Sequence, residues 1–327
     1  MHTTTVIEQS YNTTMSDVLR AAHDIAETDL PMLIVGEPGT GKTWLARRIH
    51  LLSPRTQQKF LEFSPHTLRL QRIEQQFFGV ETSPATNRIG ILERVKEGTL
   101  FLRHVSYIPL DLQSRIATTI ETRQFQRRGG KETLAVHARI IGSLCRRPRE
   151  LVDEGILSPD IYRLFSPAII TIPPLRKRKE DIPSLIDKFV LECNGLHGTR
   201  VKRVSAECLH LCIRYTWPGN VRELRNAIRY ACLLCVNDIV RPKHLPAFLL
   251  ECTTPQSVEA TPQLMSVATA ERALIEKTLR YAATKRDAAR ILGISLKTLY
   301  NKINKYALQD RFINSRGQHP TQRWRHN

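Results

Sequence analysis

Residues 36–43 read GEPGTGKT, set between the apolar run Leu30–Val35 and the helical text WLARRIHLLS. Glycines at 36, 39 and 41 permit a tight turn whose N–H groups converge on phosphate oxygens. A helix leaving such a turn adds the positive end of its dipole. A strand entering and a helix leaving is the context that this chemistry requires, and it dictates an α/β layout. Lys42 would reach the outer phosphates of a nucleoside triphosphate and Thr43 would offer its hydroxyl to a magnesium ion. The plainer reading is a loop kept only for folding.

The rest of the chain supports the same layout. Residues 15–28 have helical periodicity, and Leu30–Val35 reads as a short buried strand. To about residue 190, strand-like runs (TLFLRHV, ARIIGSL, AIITIPP) alternate with helical stretches, the pattern of a parallel sheet covered on both faces. Residues 181–250 read as wholly helical, a smaller lid. Residues 251–266 carry prolines and threonines and read as a linker. A compact helical unit follows at 267–308, then a polar, basic tail at 309–327 that reads as disordered. The expected boundaries are therefore 10–180 for the nucleotide-binding core, then the lid, linker, helical domain and tail.

Composition excludes several classes. Of 327 residues 41% are apolar, and no run approaches the length of a membrane span. No basic region followed by an apolar stretch opens the chain, so a cytoplasmic protein is expected. Seven cysteines without a disulfide rhythm fit a reducing compartment. Cys208 with Cys212, and Cys232 with Cys235, have zinc-like spacing but lie in apolar helical text, where cysteine serves as a small core residue.

Net charge is +18, and from Lys277 to Asn327 twelve Lys and Arg face two acids. That concentration favours a polyanionic partner, because counterions released from phosphates drive binding. The same stretch holds KRDAARILGISLKTLYNKINKY, residues 285–306, with helix–turn–helix grammar. Ala288, Ala289 and Leu292 share one face, Gly293 makes the turn, and Ser295 caps the next helix. Ile294, Leu299 and Ile303 would pack the two helices together. Ser295, Lys297, Thr298, Asn301, Lys302 and Lys305 are the candidate contacts to double-stranded DNA. A plain helical hairpin is the alternative.

GEPGTGKT, FFG at 77–79, GTLFL at 98–102, RIIGS at 139–143, PPLRKRKEDI at 173–182 and WPGNVREL at 217–224 occur in a fixed order and spacing. In these motifs the chain resembles the bacterial enhancer-binding proteins, the AAA+ activators of sigma-54 RNA polymerase, over about residues 10–250. Its C-terminal unit resembles the Fis-type domain that ends them, with ATAERALIEKTLRYA supplying dimer contacts. The resemblance implies an AAA+ αβα sandwich with a parallel sheet, a helical lid and a separate all-α helix-turn-helix domain. It implies ATP and magnesium as cofactors, with Gly36, Glu37, Gly39, Thr40, Gly41, Lys42, Thr43 and Arg222 binding the nucleotide and Thr43 the metal. It also implies a homodimer or higher oligomer, often a hexameric ring.

Departures from the family pattern concern hydrolysis. Family members place Asp-Glu after GTLFL, the first organising magnesium and water, the second acting as general base; Arg103 and His104 stand there instead. A positioned base is worth about 10²–10⁴-fold, and an arginine repels magnesium. His104 is the one substitute proton acceptor. The sensor pair, usually Thr-Asn, reads Leu144-Cys145. Arginine fingers, worth about 10³–10⁵ in related reactions, align with Ser158 and Leu164, while Arg163 lies one residue off. Between Gly79 and Arg88 the chain reads VETSPATN, short of the GAFTGA loop that engages sigma-54. Leu296 replaces a basic residue usual in the Fis-type domain. No residue is assigned as catalytic.

Three readings follow. The first is a DNA-binding transcription regulator that binds ATP but hydrolyses it poorly and does not engage sigma-54 directly, acting as a repressor or in a mixed ring with an intact paralogue. The second is an ATP-hydrolysing sigma-54 activator with unconventional catalytic residues. The third is a DNA-binding module on an inert scaffold. With the AAA+ part beginning near residue 10, no receiver or ligand-sensing domain is expected before it. Regulation would then come from expression level or from a partner.

Overall fold

A computed structural model of the chain describes residues 14–81, 87–251, 271–272, 275, 278–279 and 284–306. Two compact units divide it, Met1–Thr254 and Pro255–Asn327. The expected linker and tail, the stretch 82–86 within VETSPATN, and most of the helix expected to supply dimer contacts lie outside the described residues.

The larger unit opens with α1 (Met15–Ala26), β1 (Met32–Val35), α2 (Lys42–Leu51) and β2 (Phe60–Phe63). Next come α3 (Leu70–Phe78), a hairpin of β3 (Gly79–Glu81) and β4 (Asn87–Ile89), α4 (Ile91–Val95) and β5 (Thr99–Leu102). Then follow α5 (Leu110–Thr122), a hairpin of β6 (Gln124–Gln126) and β7 (Thr133–Ala135), and β8 (Arg139–Leu144). Helices α6 (Pro148–Asp153) and α7 (Pro159–Phe165) lead to β9 (Ile169–Thr171). The first strand starts at Met32, not Leu30: Pro31 has no N–H to give a ladder, and Leu30 is 49% exposed.

Five strands form one parallel sheet in the order β2-β5-β8-β1-β9. Every residue of β1, β5 and β8 is buried, as expected for strands covered on both faces. One apolar layer gathers Phe77, Phe78, Leu100 and Leu102, while the other gathers Val18, Leu45, Ile49 and Phe101 from α1, α2 and β5. Burying side chains of this size contributes about 1.5–3 kcal/mol each. The guanidinium of Arg139, 1% exposed, donates to the carbonyls of Ile25 and Ala26, both at 2.7 Å. It thereby satisfies carbonyls that end α1 and ties that helix to the sheet.

After β9 the chain forms a lid of α8 (Ile182–His197), β10 (Arg203–Val204), α9 (Ala206–Arg214), α10 (Asn220–Leu234), β11 (Ile239–Val240) and α11 (Ala247–Glu251). The lid is therefore not wholly helical. Its strands β10 and β11 pair in parallel over two residues each, too short to leave a periodic signal in the sequence. Cys208, Cys212, Cys232 and Cys235 are buried in the lid core with Trp217 and Ile228. Burial pushes the thiols of Cys212 and Cys232 up to about 12. No helix among the described residues is long and apolar enough to cross a membrane.

In the smaller unit, helices Lys285–Ile291 and Leu296–Lys305 are joined through Gly293, whose φ of 65° suits glycine. Ala288, Ala289, Leu299 and Ile303 form a compact core with Ile275 and Leu279.

Candidate functional site

Three strands end at one place. β1 runs into the glycine loop, β5 into Arg103-His104, and β8 into Cys145. β1 and β8 are neighbours, but the chain leaves β1 for the edge strand β2, and leaves β8 for β9 on the other side of β1. Such a reversal opens a crevice at the carboxyl ends of the strands. A cavity of about 620 Å³ lies there, lined by α1, the loop, Arg103, His104, Ser143 and the lid.

The loop keeps its shape through glycine geometry and contacts with the lid. Gly39 and Gly41 have φ of 82° and 108°. A Cβ on Gly39 would stand 2.2 Å from the carbonyl oxygen of Gly219. The N–H of Arg222 donates to the Gly39 carbonyl at 3.3 Å, and the buried guanidinium of Arg178 donates to the Thr40 carbonyl at 2.9 Å. The side-chain amide of Asn220 donates to Glu37 Oε2 at 3.2 Å and to the Pro38 carbonyl at 3.1 Å. Arg176 forks onto both oxygens of Glu37 at 2.7 and 2.5 Å, and this pairing holds the Glu37 carboxyl below its ordinary range. WPGNVREL and PPLRKRKEDI thus act locally as clamps on the loop. Glu37 is accordingly a clamp residue on the loop's outer side.

Lys42 is 8% exposed and donates to the carbonyls of Gly36 at 2.5 Å and Glu37 at 3.0 Å. Its ammonium also lies 3.4 Å from Cys145 Sγ. Burial lowers its pKa; the thiol opposes that shift, while Arg222 and Arg103 reinforce it. Arg222 lines the same cavity as Gly39, Thr40, Gly41, Lys42 and Thr43, whereas Gly36 and Glu37 of the expected nucleotide set do not line it.

At the end of β5 the chemistry changes. Arg103 pairs with Glu62 at 3.5 Å, and Glu62 is also held by Arg47. His104 adopts a left-handed backbone with φ of 53° and donates its N–H to Ser143 Oγ at 3.1 Å. Its Nδ1 lies 3.3 Å from Cys145 Sγ, and its ring meets those of His66 and Tyr107 edge-on. Burial, then the charges of Lys42, His66, Arg103 and Arg222, lowers its pKa to about 4. His104 is therefore neutral at pH 7. Sequence reasoning missed the Lys42–Cys145–His104 contact, because its members lie 103 and 41 residues apart.

The donors at this end do not fit the magnesium ion that the resemblance implies. Magnesium demands oxygen ligands in octahedral geometry, whereas guanidinium, neutral imidazole and thiol stand beside the hydroxyl of Thr43, and the hydroxyls of Thr40 and Ser143 are engaged with the Glu37 carbonyl and the His104 N–H. The two cavity carboxylates are engaged elsewhere, Asp181 with Arg178 at 3.5 Å and Glu192 with Arg225 at 2.8 Å. At the finger-aligned positions, Ser158 caps α7 by accepting from the Ile161 N–H, and Leu164 packs on the core. Arg163, 71% exposed, pairs with Asp160.

In the smaller unit Ser295 accepts from the Thr298 N–H at 3.0 Å, capping the second helix as expected. Lys297, Asn301 and Lys305 are exposed. Lys302 is instead held by Glu271, which also accepts from the Tyr306 hydroxyl at 2.7 Å. The Thr298 hydroxyl lies 2.7 Å from Ser295 Oγ. Three of the six candidate contacts, Ser295, Thr298 and Lys302, are thus engaged within the unit. Leu296, half-buried, packs on its small core.

Family models match the whole of this layout. A sigma-54 interaction domain matches residues 8–171, an AAA+ ATPase lid domain 176–262, and a Fis-family bacterial regulatory protein 266–306. The chain belongs to the sigma-54 activator family of transcription regulators. Within that family, the alginate biosynthesis transcriptional regulatory protein AlgB of Pseudomonas aeruginosa is 31% identical over 307 residues, covering 92% of this chain and 67% of the relative. The nitrogen fixation protein VnfA of Azotobacter vinelandii is 34% identical over 301 residues, covering 90% and 58%. The crystal structure of NtrX from Brucella abortus superposes with a TM-score of 0.68 at 26% identity, covering 90% of this chain and 67% of that one. NtrX has also been solved in complex with ATP, a structure that superposes at 0.67 with 25% identity, covering 91% and 68%. The chain spans 67% of AlgB and 58% of VnfA, so these relatives are longer proteins.

Proposed function

We propose that the chain is a DNA-binding transcription regulator that binds ATP at its glycine loop, hydrolyses it slowly or not at all, and does not itself engage sigma-54. The observation that carries this is Arg103-His104 at the end of β5. Among the described residues that line the cavity, the two carboxylates are paired with arginines, and the imidazole at this strand end is paired with a thiol. Nucleotide binding draws support from the ATP complex of NtrX and from the clustering of Lys42, Thr43 and Arg222 on one cavity. ATP would then shape or assemble the regulator, alone or in a mixed ring with a competent paralogue. The neutral state of His104 favours one rival, hydrolysis with His104 as base.

A steady-state ATPase assay separates the two. The native chain is expected to turn over at least about 100-fold more slowly than the double variant Arg103→Asp, His104→Glu, the order of effect of a positioned base. Turnover typical of competent AAA+ proteins, lost in His104→Asn, would instead establish the rival. For DNA, Lys297, Asn301 and Lys305 are the side chains we assign to contacts. Asn301→Ala is expected to cost about 1–3 kcal/mol at one base position. Lys297→Ala is expected to weaken all sequences alike and flatten the salt dependence, as read by fluorescence anisotropy.

A further inference from the structure

A nucleoside triphosphate is a polyanion whose outer charge is ordinarily offset by a magnesium ion bridging its phosphates. The donors around this loop do not suit that ion, yet the cavity is far from neutral. Among the described residues, seven Lys and Arg side chains line it against two carboxylates, and both carboxylates are already paired with arginines. Lys42, Arg103 and Arg222 stand close enough that the two guanidinium groups disfavour the lysine's charge. A polyanion entering the cavity would offset that mutual repulsion. Arg103 leaves the end of β5, on the same cavity as Thr43. Its ion pair with Glu62, at 3.5 Å, is longer than a charge-assisted hydrogen bond, and Glu62 keeps Arg47 as a partner if Arg103 turns away. A guanidinium is planar, permanently charged and matched to two phosphate oxygens at once.

We propose that Arg103 takes the place of the divalent cation, so that this pocket binds the metal-free form of a nucleoside triphosphate. The proposal rests on the nucleotide reading above and specifies the ionic form of the ligand. It turns the feature that disfavours hydrolysis into a binding determinant. The charge that magnesium would bring is built into the chain, without a site that positions water.

Calorimetric titration of the full chain with ATP tests it, in excess EDTA and in millimolar magnesium chloride at equal ionic strength. The native chain is expected to bind in EDTA at least as tightly as in magnesium. Arg103→Gln is expected to weaken binding in EDTA about tenfold, the loss of one charge-assisted pair, and to change binding in magnesium by less than about twofold. The preference would thereby invert. Thermal melting of Arg103→Gln checks that it is folded, and the native comparison stands without any variant. Binding of the native chain tenfold or more tighter in magnesium would overturn the proposal and leave the nucleotide reading intact. Absence of binding in both buffers would overturn the two together.

Discussion

The glycine loop and the end of β5 face the same cavity and are built on opposite principles. At the loop, glycines and clamping contacts hold the backbone: Gly39 against Gly219, Asn220 on Glu37 and Pro38, Arg178 on Thr40. At the end of β5 everything depends on two side chains, one cationic and one held neutral. Backbone geometry survives most substitutions around it, whereas a catalytic carboxylate is lost in one. The phosphate-binding loop and the strand end facing it therefore rest on different structural constraints in this chain. An intact loop alone is no argument for turnover.

The largest expected effect lies at the loop. Gly39→Ala forces a side chain onto a backbone with φ of 82° and drives its Cβ to 2.2 Å from the Gly219 carbonyl. Strain and overpacking together should cost about 3 kcal/mol, read as a lowered urea midpoint. The matching change at the end of β5, His104→Asn, should cost less than about 1 kcal/mol at pH 7, since asparagine tolerates the left-handed backbone. Equal losses would mean that both halves depend on backbone fit, and the contrast would fail.

The same contrast governs what could be read from the sequence. The loop was legible because its constraints are local, three glycines and a lysine within eight residues. The helix–turn–helix was legible for the same reason, with Gly293 and Ser295 where the turn and cap require them. Chain ends of elements were less so: Pro31 delays β1, and the two-residue strands of the lid are shorter than any period. Side-chain pairings between distant segments were not legible at all. Cys145 reaching Lys42 and His104, Arg139 reaching the end of α1, and Glu271 holding Lys302 are products of tertiary packing. That last pairing engages Lys302, one of the side chains that local spacing offers as a DNA contact.

A smaller effect sharpens the comparison from the side of β5. The unfolded chain protonates His104 as pH falls through about 6.5, but in the fold the ring stays neutral until about 4. Between those values the unfolded state holds the extra proton, so stability declines as pH falls from about 6.5 toward 4 and levels off below. At pH 5 this group alone should account for about 2 kcal/mol. His50 and His244 are also shifted down by burial and contribute in the same direction. The diagnostic quantity is consequently the difference between the native chain and His104→Asn in urea midpoints measured from pH 7.5 to 4.5. The variant should lose less stability over that range by about 2.5 kcal/mol. Parallel curves would show that His104 is solvated, and that Lys42, Arg103 and Arg222 do not bear on it as the geometry requires.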